Sequence, residues 1–214
     1  MPPESRSAPE VLHERAAAIR AVQGREANEF TRATERLALI ARDLGAPIAI
    51  VGGLAGIHHG ALVTTLDVDV VVSAERLNDF LEVAQRYGLE VKSRSPTGWH
   101  LLVYRDADGS DVTIGIVPEG GRSPRDPERA PPIPGPRELG VEAGLGYASF
   151  DGWVAMKLVA NRDKDRYHLI EALKTASQEQ VSRVVVRVRK LHPSYLAELE
   201  RLVRAAEDEQ RERW

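Results

Sequence analysis

The stretch VGGLAGIHHGALVTTLDVDVVV, residues 51–72, decides how the rest of the chain is read. It begins at the end of a short apolar run, Pro47 to Val51, that stops at Gly52 and Gly53. A β-rich run ending in paired glycines predicts a strand and then a tight turn. Leu54 to His59 can form a short helix, stopped by Gly60. Residues 66–72, LDVDVVV, alternate and are rich in valine, which predicts a second strand. Alternation places Asp67 and Asp69 on one face of it and Val68, Val70 and Val72 on the other. Two carboxylates held side by side repel unless something positive lies between them. A divalent cation resolves the conflict, and oxygen donors suit magnesium or manganese. The plainer alternative is that Asp67 begins the strand and Asp69 faces water. The glycine pair upstream weighs against it, because such a turn lets the backbone approach a phosphate and the helix behind it offers amide donors. Alone, a Gly-Gly turn is ordinary punctuation; beside two acids it suggests a phosphate cradle next to a metal pair.

Outward from this segment, residues 8–44 read as one or two helices, with Leu37, Leu39, Ile40 and Leu44 ahead of Gly45. On the other side, Ser73 is placed to cap a helix carrying Leu77, Phe80, Leu81 and Ala84 on one face. Residues 89–92, 99–104 and 111–117 are three more strands, and Asp108-Gly109 predicts a hairpin between the last two. Residues 118–137, PEGGRSPRDPERAPPIPGPR, carry most of the proline and predict a long loop outside the sheet, with a linker as the alternative. Helices are expected over 151–161, 164–176 and 178–191, and from Ser194 onward. Val184 to Val188 favour strand by propensity, but Val181, Val184, Val185, Val188 and Leu191 share one helical face. The expected fold class is α/β (α+β), a mixed β-sheet with flanking helices and a helical C-terminal bundle. The expected organisation is an N-terminal helical extension over 1–45, an α/β core over 46–149 and a helical region over 150–214.

Composition narrows the function classes. The 214 residues are 43% hydrophobic and 29% charged, which suits an ordinary globular domain. No run approaches the roughly 20 apolar residues of a membrane span, and the N-terminus lacks the apolar core of a signal peptide, so the cytoplasm is expected. The absence of cysteine excludes disulfides, thiolate metal sites and cysteine nucleophiles. A net charge of −3 gives no global attraction to polyanions, leaving only the local basic stretch of Arg183, Arg187, Arg189 and Lys190. That stretch gives RNA a modest advantage as a partner, although such runs are commonly a solvated helix face.

Gly52, Gly53, Leu54, Ala55, His59, Gly60, Thr65, Asp67 and Asp69 together resemble the signature of the DNA polymerase β-like nucleotidyltransferase superfamily. In detail the segment is similar to the AbiEii-type branch, small nucleotidyltransferases that include abortive-infection toxins. The likeness covers residues 46–72 and extends less specifically to WVAMKLVANRDKDRYHL, residues 153–169. It implies magnesium or manganese held by Asp67 and Asp69 on a nucleoside triphosphate, with Gly52, Gly53, Thr65 and Lys157 at the nucleotide and its phosphates. It further implies a third carboxylate that positions and deprotonates an acceptor hydroxyl, which then attacks the α-phosphorus and expels pyrophosphate. Asp111, opening the strand 111–117, fits that third place, with Asp106 and Asp108 as alternatives; one ion touching both would put Asp111 roughly 4 to 6 Å from Asp69. The acceptor implied is tRNA or another RNA, a protein or a small molecule, and a toxin-type relative would have a cognate antitoxin protein. A non-catalytic binding or regulatory member of a toxin–antitoxin pair is the alternative.

Several residues weigh on this reading. Lys157 lies inside an apolar helix, where lysine is either paired or snorkels outward. Arg162 and Lys164 can add positive charge, while Asp163 and Asp165 suit capping or ion pairing at a helix start. Val63 and His168 stand where many relatives have an arginine and an aspartate. His58 and His59, adjacent on a helix, diverge and make a poor joint metal site, and His59 is expected to pack or hydrogen-bond near the turn.

Overall fold

Local chemistry sets the first long helix. The side-chain oxygen of Asn28 accepts from the backbone N–H groups of Phe30 and Thr31, and Gly45 takes a φ of 60° at the other end. Between these caps runs α1, Glu29–Leu44, burying Phe30, Ala33, Leu37, Ile40, Ala41 and Leu44. The computed structural model describes residues 17–24, 27–61, 63–95, 98–107, 109–122 and 130–211. Residues 17–22 are helical, and Asn28 donates to the carbonyl of Ala17 to hold them against α1.

The order then continues β1 (Ile48–Ile50), α2 (Gly52–His58), β2 (Asp67–Val72), a 3-10 turn (Ala74–Arg76), α3 (Leu77–Arg86), β3 (Leu89–Arg94), β4 (His100–Arg105), β5 (Asp111–Pro118) and β6 (Leu145–Tyr147). Four helices follow: α4 (Phe150–Ala160), α5 (Asp163–Thr175), α6 (Gln178–Val188) and α7 (Pro193–Arg211). The six strands form one mixed sheet in the order β3-β4-β5-β2-β1-β6. β2 lies antiparallel to β1 and parallel to β5, so the two segments that decided the sequence reading are neighbours at the centre of the sheet. This is the expected mixed α/β class. No helix among the described residues is long and apolar enough to cross a membrane.

Valines cover both sides of β2 where acids do not: Val68, Val70, Val71 and Val72 are all buried. α6 is a helix despite its valines, because Val184 and Val188 enter the core while Val186 remains exposed. Its start is closed by Ser177 and Gln180, each side chain accepting from the other's backbone N–H.

Two expectations change. Ser73 makes no side-chain capping bond; a 3-10 turn intervenes and α3 begins at Leu77. β6, too short to show a period, was not foreseen and pairs in parallel with β1. Within 118–137, the described part of the loop folds back: the Gly120 N–H donates to the Ile133 carbonyl, the Ile133 N–H donates to the Gly121 carbonyl, and Ala130 is fully buried. Asp108 lies outside the described residues, and the β4–β5 hairpin closes around Gly109 at a φ of 89°, its N–H donating to Asp106.

Candidate functional site

Two glycines shape the site by what they admit. Gly52 begins α2 with a φ of 63°, a conformation costly for any residue with a Cβ. A Cβ there would overlap Oδ2 of Asp69, and a Cβ at Gly115, on the opposite strand, would overlap Oδ1. The Asp69 carboxylate therefore fits between two glycines. Gly53 serves Thr65 in the same way, since its Cβ would run into the threonine side chain. The turn is pinned from outside by Trp153 of α4, whose indole N–H donates to the carbonyl of Gly52 at 2.8 Å. The steric need for these glycines is thus the acid pair and its support.

Asp67 and Asp69 both line one cleft of about 760 Å³, together with Gly52, Lys157, Arg162 and Lys164 on one side and Trp99, Val117 and Pro131 to Pro134 on another. Thr65 donates its hydroxyl to Oδ1 of Asp67 at 2.5 Å, so it orients a carboxylate where the resemblance had implied contact with the nucleotide. The Asp69 carboxylate has no hydrogen-bond partner among the described residues. Burial pushes its pKa up to about 6, the charge of Asp67 pushes the same way, and Lys157, Arg162 and Lys164 oppose. A desolvated, unpartnered carboxylate beside a second one is a donor set that suits one divalent cation.

Behind the acids stands a buried ion cluster. Lys157 is 5% exposed, and its ammonium donates to Oδ1 of Asp165 at 2.7 Å. Arg162 reaches the same carboxylate through Nε at 2.5 Å and through its terminal nitrogen at 3.1 Å, and its backbone N–H donates to Oδ2 at 3.3 Å. Burial alone would raise the fully buried Asp165, but Arg162 and Lys157 outweigh it and hold the group below the usual carboxylate range. Burial lowers Lys157, with Asp165 and Asp69 acting against that. We take the pair as ionic, because two cations converge on one carboxylate. His168 stands 3.4 Å from the Lys157 ammonium; burial and then that charge lower it to about 4, leaving a neutral ring that can accept. Lys157 is therefore neither snorkelling nor free: Asp165 holds it and Arg162 at the cleft wall.

The third carboxylate is not where it was expected. β5 pairs with β2 so that Asp67 faces Thr113 and Asp69 faces Gly115. Asp111 is four residues earlier than Gly115, about 13 Å along the strand, well beyond the expected 4 to 6 Å. Its side chain is 42% exposed and pairs with Arg105 at 3.6 Å. Asp106 is buried, but in a pair with Arg32 and a bond from the Tyr104 hydroxyl, away from the cleft. No group of three or more His, Asp or Glu side chains among the described residues could hold a metal ion together. Val63 is buried against Gly56, so its place supplies no charge to the cleft. His59 donates from Nε2 to the carbonyl of Ala148 at 2.8 Å, the packing role expected of it, and His58 stacks on Tyr147. Trp153 and Gly115 had no signal of their own in the sequence, whereas Asp165 fills the capping and ion-pairing role expected of it.

No family model matches the chain, and no curated protein matches it. Among solved structures, ANT(2″)-Ia in complex with adenylyl-2″-tobramycin is 14% identical, with a TM-score of 0.40 over 85% of this chain and 99% of that one. The solution structure of the antibiotic-resistance factor ANT(2″)-Ia gives 13% identity and a TM-score of 0.42, over 84% and 94% of the two chains. An antigenic nucleotidyltransferase-like protein from Paracoccidioides brasiliensis gives 17% and 0.38, over 77% and 90%. At this level the likeness is one of chain course, and no residue's role is taken from it.

Proposed function

We propose that the chain is a metal-dependent nucleotidyltransferase that moves a nucleoside monophosphate from a nucleoside triphosphate to a hydroxyl acceptor. The observation that carries this reading is the unpartnered Asp69 carboxylate beside Asp67, in a cleft whose near wall holds Lys157, Arg162 and Lys164. Magnesium or manganese between the two acids would neutralise the triphosphate and polarise the α-phosphorus toward attack. Thr65 fixes the rotamer of Asp67, and Asp165 fixes Lys157 and Arg162 so that positive charge stands ready for the phosphates. Gly52, lining the same cleft, makes room for the Asp69 carboxylate that would meet the cation.

Lys190 lines the same cleft beside Arg187, which Asp151 and the Glu138 carbonyl hold in place, and this basic edge supports tRNA or another RNA as the acceptor. A toxin-like role, a cognate antitoxin partner and a cytoplasmic location belong to the same proposal through the AbiEii-type resemblance. The test is incubation with each labelled nucleoside triphosphate, magnesium and total RNA. Label transferred by the parent and not by Asp69→Asn is the expected outcome; label transferred equally by both sinks the assignment. A second reading, a nucleotide-binding module without turnover, is favoured by one observation: no third acid among the described residues joins Asp67 and Asp69. It predicts metal–nucleotide binding with no labelled product.

A further inference from the structure

The row of β5 that faces the acid pair carries an inference about how many ions the site can hold. Alternation places Asp111, Thr113, Gly115 and Val117 on one side of β5, and Val117 lines the cleft with Asp67 and Asp69. Above the acids this row offers a hydroxyl, a glycine and a valine. The glycine is no accident of space, because the volume a side chain would need at 115 is taken by Oδ1 of Asp69. Nor can Asp69 withdraw toward β1, since its other oxygen fills the place of a Cβ at Gly52. Asp111 is turned to Arg105 at the far end of the strand.

Two ions a few ångströms apart, one on the entering and one on the leaving oxygen, need donors that flank them from more than one strand. Magnesium in particular demands near-octahedral oxygen and keeps its waters unless carboxylates or phosphates replace them. Asp67 and Asp69 with a triphosphate meet that demand once. We infer that this site holds one divalent cation, shared by Asp67, Asp69 and the nucleotide: Glu138, which also lines the cleft, already accepts from the Gly135 N–H, and no third acid among the described residues joins the pair to hold a second ion. This rests on the reading of the cleft as a metal–nucleotide site. The acceptor hydroxyl is then activated without a β5 acid, and any transfer depends on divalent ion to first order.

The test uses the full chain, manganese and non-hydrolysable analogues of the four common nucleoside triphosphates. Electron paramagnetic resonance counts the bound manganese and detects coupling between neighbouring ions, while equilibrium dialysis counts the bound analogue. One manganese per bound analogue, without ion–ion coupling, is the expected result, and Asp69→Asn should weaken manganese retention by at least about tenfold. Asp111→Asn should leave both the count and the affinity unchanged. Two coupled ions per analogue in the parent, or a count that falls in Asp111→Asn, overturns the inference and leaves the nucleotide site standing. Failure to retain any analogue with manganese overturns the underlying reading, and the inference with it.

Discussion

β2 and β5 are parallel neighbours that begin alike, DVDVVV over 67–72 and DVTIGIV over 111–117, yet their acids live in different chemistry. Asp69 is squeezed between Gly52 and Gly115, has no hydrogen-bond partner among the described residues and is pushed up to about 6 by burial and by Asp67. Asp111 is 42% exposed and meets Arg105 across the β4–β5 ladder. Alternation tells which face a side chain takes but not which residue stands across from it. That second quantity is register, and here β5 is set so that its acid lies beyond the start of β2.

The largest expected effect lies on the β2 side. Asp69→Asn keeps the shape of the side chain between its glycines but removes the charge a cation needs. If the cation supplies several kcal/mol to the transition state, nucleotide transfer should fall by about 10³-fold or more. Steady-state transfer with saturating magnesium checks this. Next in size is the support behind it: Lys157→Met leaves Asp165 buried with Arg162 as its one remaining strong cation. Breaking a buried pair costs about 3–5 kcal/mol, and the surviving Arg162 contact puts the expected loss at the lower end, measured by urea unfolding. Recovery of stability in Lys157→Met with Asp165→Leu would show that the cost is an orphaned charge rather than lost packing.

Much of this arrangement was legible in the sequence because it rests on short-range rules. The glycine turn, the alternation of 66–72 and the valine-rich face of α6 each follow from neighbours a few residues apart. Lys157 in an apolar run read as either paired or snorkelling, and Asp165, on the next helix, as a capping or ion-pairing acid; nothing in the sequence joined the two. Asp165 is both, accepting from the Arg162 backbone N–H while holding two cations. Trp153 opens the same apolar run, and nothing nearby in sequence says that its N–H reaches Gly52, 101 residues away. Asp111 failed for the same reason, since its assignment needed a pairing between strands far apart in the chain, β2 ending at Val72 and β5 beginning at Asp111. β6 escaped because three residues carry no period.

The acid pair on β2 also predicts a dependence on pH carried by Asp69. Its folded pKa of about 6 lies above the ordinary 3.8, so between these values the folded chain binds more protons than the unfolded one. Metal-free stability contributed by this group therefore falls as pH rises through that window, by at most about 3 kcal/mol. His168 acts in the opposite sense: lowered from 6.5 to about 4, it makes the folded chain gain stability as pH rises between those values. The two nearly cancel in the parent. Asp69→Asn removes one of them, and melts in chelator from pH 4 to 8 should show a variant that gains stability with pH against a flatter parent, ending more stable at pH 7. Identical curves would mean that the Asp69 carboxylate is not desolvated.

The smallest expected effect is the sharpest use of the pair of strands. Asp111→Asn removes an exposed carboxylate whose one strand-mate cation, Arg105, also lies 3.7 Å from Glu90. A surface pair of this kind contributes about 0–1 kcal/mol, and Glu90 remains to meet the arginine. Unfolding midpoint, metal retention and transfer rate should all stay close to the parent, the rate within about twofold. The contrast with Asp69→Asn is then a matter of register alone, because both substitutions change one strand aspartate to its amide on the same face of one sheet. A hundredfold loss of transfer in Asp111→Asn, with stability intact, would require Asp111 to reach the acid pair when nucleotide is bound. A slide of β5 past β2 would have to be an even number of residues to keep the apolar side in the core, and four residues would carry Asp111 opposite Asp69. Such a slide would also break the β4–β5 ladder from His100 to Arg105, so hydrogen exchange in that hairpin would rise together with the loss of rate.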